Sequence, residues 1–169
     1  MNYAVTERRR KLRFASENPA KLDLLRRILA RHPADPTLII GTYVEHLQRI
    51  AAELRAPVIT GQTSNVERER LYDDFRAGRR PVLVVSKVAN FAIDLPDAAV
   101  AIQVSGTFGS RQEEAQRLGR LLRPKPGANQ AHFYTLVTRE TLEQDYAVNR
   151  QRFLTEQGYS YEIVDAQTF

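Results

Sequence analysis

Gln116, Arg120 and Arg123 are spaced to do chemistry on an anion. They lie in residues 110–125, SRQEEAQRLGRLLRPK, where a Ser110-x-x-Glu113 capping box and Pro124 bound a predicted helix over 111–122. At about 100° per residue these three side chains share one face, while Ala115, Leu118, Leu121 and Leu122 gather on the other. Two guanidiniums three residues apart repel one another, and burial of the opposite face fixes where they point. A phosphate would relieve the repulsion. Gly119, without a side chain, allows the backbone of this helix to approach a neighbouring segment closely.

The rest of the chain must hold that helix. Its 169 residues suffice for one α/β domain with a full core and are too few for two ordinary ones. A hydrophobic fraction of 43% with 27% charge is a globular balance. The net charge is +5, and Lys11, Lys21, Lys87 and Lys125 are the only lysines. Arginine's planar fork suits phosphate, so a polyanion such as nucleic acid is the expected partner; a GC-rich genome would produce the same bias. No apolar run is long enough to cross a bilayer, and Met1 leads into polar residues, so neither membrane nor signal peptide is expected. The chain has no cysteine, which removes disulfides and thiolate sites and suits a cytoplasmic protein. His32, His46 and His132 are scattered, so no metal site is expected.

In order, residues 1–15 read as an exposed lead-in or linker carrying the basic run Arg8-Arg9-Arg10-Lys11, and 16–169 as the folded domain. Asn18 caps a helix with Pro19 at its first position and Leu22, Leu25, Ile28 and Leu29 inward. TLIIG (37–41) is a buried strand feeding an amphipathic helix over 44–54. A second strand over 57–60 precedes a Ser64-x-x-Glu67 capping box and a helix with Leu71 and Phe75 inward. Further strands are expected over 81–86, 98–104 and 132–137, then a helix over 141–157 with Leu142, Tyr146 and Phe153 on one stripe. Gly158 follows as its cap, and 159–164 is a candidate edge strand. This alternation predicts an α/β fold of three layers, with a mostly parallel central sheet and helices on both faces. Ligands of such sheets meet the carboxyl ends of the strands. Those ends are small and polar here: Gly41-Thr42, Thr60-Gly61-Gln62-Thr63, Ser86-Lys87 and Ser105-Gly106-Thr107. Each alone is also ordinary turn chemistry.

Taken in order, four stretches resemble superfamily 2 helicase motifs. LIIGTYVEHLQRIA (38–51) is similar to motif IV, the loop at 60–63 with its helix to motif IVa, SKVANFAIDLPDA (86–98) to motif V, and QRLGRLLRPK (116–125) to motif VI. With SENPAK (16–21), they most resemble the XPB family of DNA repair helicases in its bacterial form, over about residues 12–165. The resemblance implies a RecA-like helicase domain. No G-x-x-x-x-G-K-[ST] occurs, since none of the lysines follows a glycine, and no D-E-x-H-like box occurs. The chain is therefore expected to be the second RecA-like domain. The first ATPase domain, absent here, would bind ATP and Mg²⁺.

On that resemblance Arg120 and Arg123 are arginine fingers on the γ-phosphate of ATP, Asp94 accepts from the ribose, and Gln116 and Arg117 bridge the nucleotide site and motif V. Gly41, Thr42, Gly61, Thr63, Ser86 and Lys87 face DNA phosphates. Position 92 is Ala where many superfamily 2 members have Gly, which departs from the pattern beside Asp94. The implied partners are DNA, the N-terminal ATPase domain of the same protein, and repair nucleases or other repair factors. The implied activity is 3′–5′ helicase or translocase motion in nucleotide excision repair. A second reading is a non-catalytic nucleic-acid-binding or regulatory module that keeps the fold. Two arginines on the motif VI helix favour the motor.

Overall fold

Short apolar runs build the centre of the molecule. The computed structural model describes residues 2–86, 98–106 and 131–169. Within them five strands, β1 (Thr37–Gly41), β2 (Val58–Ile59), β3 (Val82–Ser86), β4 (Val100–Gln103) and β5 (His132–Thr135), form one parallel sheet in the order β2-β3-β1-β4-β5. Central β1 is held from both sides: Ile39 lies level with Val84 of β3 and Ile102 of β4. The described helices are α1 (Asn2–Ser16), α2 (Ala20–Arg31), α3 (Val44–Leu54), α4 (Asn65–Arg76) and α5 (Leu142–Glu156).

Successive strand side chains point to opposite faces, so these apolar runs feed two cores. On one face Ile39, Val84, Val100 and Ile102 pack against Leu25 and Ile28 of α2 and Leu47, Ile50 and Ala51 of α3. On the other, Leu38, Ile59, Leu83 and Val85 pack against Leu71, Tyr72 and Phe75 of α4. The expected three layers are present. Caps also follow the sequence: the Asn18 side chain accepts from the Ala20 N–H at 3.0 Å, and Ser64 Oγ accepts from the Glu67 N–H at 3.3 Å.

Four local expectations need correcting. The basic run at residues 8–11 lies on α1, which buries Leu12 and Ala15 and packs against α5; apolar residues three apart give the helix one inward edge. Lys21 is buried on α2 and Leu22 is only half-buried, while Leu29, also half-buried, packs against the core as expected. On α5 the inward stripe is Glu143, Arg150 and Leu154, with Leu142, Tyr146 and Phe153 half-buried. The helix is turned by about one residue from the apolar reading, and the Lys21–Glu143 pair described below accounts for the turn. Residues 159–164 form no strand; Ile163 and Val164 are exposed, and among the described residues no strand pairs with them. The predicted helix over 111–122 lies outside the described residues.

Candidate nucleic-acid interface

A parallel sheet puts all its strand ends on one rim, and β1 occupies the middle of it. Gly41 closes β1 where no side chain fits. A Cβ there would sit 2.8 Å from Leu47 Cδ2, 2.8 Å from Ser105 Oγ and 3.0 Å from Val104 Cγ2. That closeness lets the next residue turn across the rim, where the Thr42 N–H donates to Ser105 Oγ at 2.9 Å. Thr42 Oγ1 has no hydrogen-bond partner among the described residues. Ser86 ends β3 level with Gly41 and is fully buried, the least open hydroxyl of this group.

The loop after β2 is closed by its own side chains. Thr63 Oγ1 accepts from the Thr60 N–H at 2.9 Å, and Thr60 Oγ1 accepts from the Gln62 N–H at 3.2 Å, leaving Gly61 and Gln62 exposed. A hydroxyl that accepts one bond keeps its own proton to donate. The first turn of α4 follows at once, adding free N–H groups and the positive end of a helix dipole. β2 lies two strands from β1, so the loop carrying Thr63 and the turn at Thr42 leave the rim two strand spacings apart, roughly 10 Å.

Beneath the rim lies a group of buried polar side chains. Lys21, 4% exposed, places Nζ 2.8 Å from both carboxylate oxygens of Glu143 and 2.8 Å from the Val104 carbonyl. Glu143 also accepts from Ser16 Oγ and from the Thr138 N–H, each at 2.9 Å. Burial pulls the Lys21 ammonium below its ordinary pKa, and the Glu143 carboxylate acts against that fall. The bonds run in series: Lys21 holds the Val104 carbonyl, and the next residue, Ser105, holds Thr42. Lys21 is thus a positioning residue for the rim. Arg68, buried on α4, does the same for the neighbouring loop, donating to the Thr63 carbonyl at 3.2 Å and to Asn65 Oδ1 at 3.4 Å.

The structure therefore brings Gly41, Thr42 and Ser86 together and sets Gly61 and Thr63 further along the same rim. Lys87, Asp94, Gln116, Arg117, Arg120 and Arg123 lie outside the described residues. Sequence reasoning missed Lys21, Glu143 and Arg68, because an isolated charge within a helix reads as solvated. Only the SENPAK wording around Lys21 carried a signal. Among the described residues no group of three or more His, Asp or Glu side chains is arranged to hold a metal, and no helix is long and apolar enough to cross a membrane.

Comparison with known proteins gives a consistent picture. The family model described as ERCC3/RAD25/XPB C-terminal helicase matches residues 1–168. The DNA 3′-5′ helicase XPB of Kineococcus radiotolerans is 58% identical over 164 residues, covering 97% of this chain and 29% of that protein. Its namesake from Mycobacterium tuberculosis is 57% identical over 166 residues, covering 98% and 30%. The chain thus spans under a third of the length of these curated relatives. Among solved structures, the C-terminal domain of the DEAD-box protein Dbp5 superposes with a TM-score of 0.67 at 20% identity, covering 80% of this chain and 79% of that one, a likeness of fold.

Proposed function

This chain belongs to the ERCC3/RAD25/XPB C-terminal helicase family, and on that premise we propose that it acts as the second motor domain of an ATP-dependent DNA helicase or translocase moving 3′ to 5′ in DNA repair. The observation that carries the reading is the family match across residues 1–168 on a RecA-like parallel sheet. The rim supports the DNA-facing half of the proposal. Thr42 and Thr63 offer hydroxyls along it, Gly61 leaves the backbone open to a phosphate, and Gly41 lets the chain turn at the rim, with Ser86 buried between the two hydroxyls; Lys87 is proposed to add a charge to the same contact. Interactions of this kind fix position without reading sequence.

The nucleotide-facing half follows from the motif VI spacing. Arg120 and Arg123 would reach ATP held by the other domain of the protein and stabilise charge on the transferring phosphoryl group, an effect of about 10³ to 10⁵ in rate. Asp94 would accept a ribose hydroxyl, with Gln116 and Arg117 linking the nucleotide to motif V. Mg²⁺ would supply charge neutralisation on the phosphates, held by carboxylates outside this chain. The N-terminal ATPase domain is then the obligate partner, and repair nucleases or other repair factors are the expected further ones. A motor of this kind works in the cytoplasm, where the chromosome of a bacterial cell lies.

The test is ATP hydrolysis by the complete protein, with and without forked DNA, for wild type, Arg120→Ala and Arg123→Ala. DNA-stimulated turnover that falls at least about a thousand-fold in both variants, with nucleotide binding retained, is the expected result. Intact DNA binding with no turnover in any of the three would instead favour a non-catalytic binding module.

A further inference from the structure

The DNA-facing rim has a continuation down the open edge of the sheet. Among the described residues β2 is an edge strand of two residues, bonded only to β3. Beside it lies a groove of about 660 Å³, lined by Gln62, Thr63 and Ser64, by the three guanidiniums of Arg55, Arg70 and Arg80, and by one carboxylate, Glu67. Its charges do not cancel. Arg70 is bound to Glu67 and Asp74, but Asp74 also serves Arg79 and, at 3.9 Å, Arg80. Arg55 has no ion-pair partner among the described residues.

Arg55 also stands where a side chain is costly. α3 ends with the Ala56 N–H donating to the Ala51 carbonyl at 2.9 Å, around Arg55 at φ 52, in the left-handed region. Glycine is the usual residue at that position, and a side chain there is strained against its own backbone. A strained backbone that carries an unpaired cation into an open groove is a reason to look for a ligand there. The guanidiniums and the rim hydroxyls, together with the proposed phosphate site at Thr63, select the class.

We propose that this groove is a second stretch of DNA track, in which Arg55 and Arg80 hold backbone phosphates of the strand that crosses Thr63. The proposal rests on the DNA-motor reading above and names a site beyond the helicase motifs. The track then turns from the sheet rim down the β2 edge, lengthening the footprint of this domain.

The test is equilibrium binding of a fluorescently labelled forked DNA to the complete protein between about 50 and about 200 mM salt. Variants are Arg55→Gly with Arg80→Ala, Arg55→Lys, and Thr63→Ala. Removing one cation from a phosphate should flatten the slope of log K against log salt by about 0.7 to 0.9, so the double variant should flatten it by about 1.4 to 1.8. Arg55→Gly relieves the strained cap, so damage to the fold does not explain a weaker slope, and Arg55→Lys should keep most of it. An unchanged slope in the double variant while Thr63→Ala weakens binding overturns the groove and leaves the motor reading standing; the arginines would then be a charged guard on an open strand edge. Absence of DNA binding by the wild-type protein overturns both.

Discussion

At the scale of single residues, the least expected feature is a lysine that does not reach solvent. Lys21→Met should leave the Glu143 carboxylate buried without its cation and cost about 3–5 kcal/mol, read as a fall in urea midpoint. Adding Glu143→Leu should recover most of that loss, because the penalty belongs to the orphaned charge rather than to the missing attraction. His46, buried on α3, offers a second test. Burial holds its ring below the ordinary histidine value, with Lys21 and Arg49 acting the same way and Glu17 and Glu143 opposing. Below about pH 6.5 the unfolded chain takes up a proton that the folded one refuses. His46 therefore contributes full stability above that pH, and the contribution falls as the pH drops through it. Denaturant midpoints at about pH 7.5 and about pH 5.5 should show a drop that is smaller in His46→Gln. Neither side chain was legible in the sequence: a lone Lys on a helix reads as exposed, and its partner is 122 residues away.

Elements whose apolar residues meet one neighbour are legible in the sequence, and those fixed by a polar bond are not. TLIIG and the helix after it have the bounds that their patterns predict, because a strand buried on both faces and a helix with Leu47, Ile50 and Ala51 on one stripe leave few other solutions. For α5 the apolar pattern points one stripe away from the true inward face, since the orientation is set by Glu143 and Arg150 rather than by Leu142, Tyr146 and Phe153. The apolar edge of α1 is too narrow to distinguish it from an exposed lead-in, yet Leu12 is buried in it. Leu12→Ala should cost about 2 kcal/mol by thermal or chemical denaturation, where an exposed linker would lose nothing measurable. At the rim, the turn at Gly41 and Thr42 is visible from composition, whereas its fixing by Ser105 and Lys21 comes from segments distant in sequence.

At the scale of the whole molecule, the motor reading makes the sheet one wall of a site whose other wall lies in another domain. The purified 169-residue chain is therefore expected to show no ATP turnover above background, with or without DNA, and a colorimetric phosphate assay checks this. Robust turnover would mean that the catalytic apparatus is not divided between domains. The Lys21–Glu143 pair also bears on how the chain emerges during synthesis. During synthesis Lys21 emerges before all five described strands and Glu143 after them, so while those strands are being made the apolar face of α2 carries a cation without its carboxylate. Docking of α2 onto the nascent sheet is thereby discouraged until the last helix arrives. The ion pair would then close the fold last, and chains that end before Glu143 are expected to be degraded faster than full-length ones.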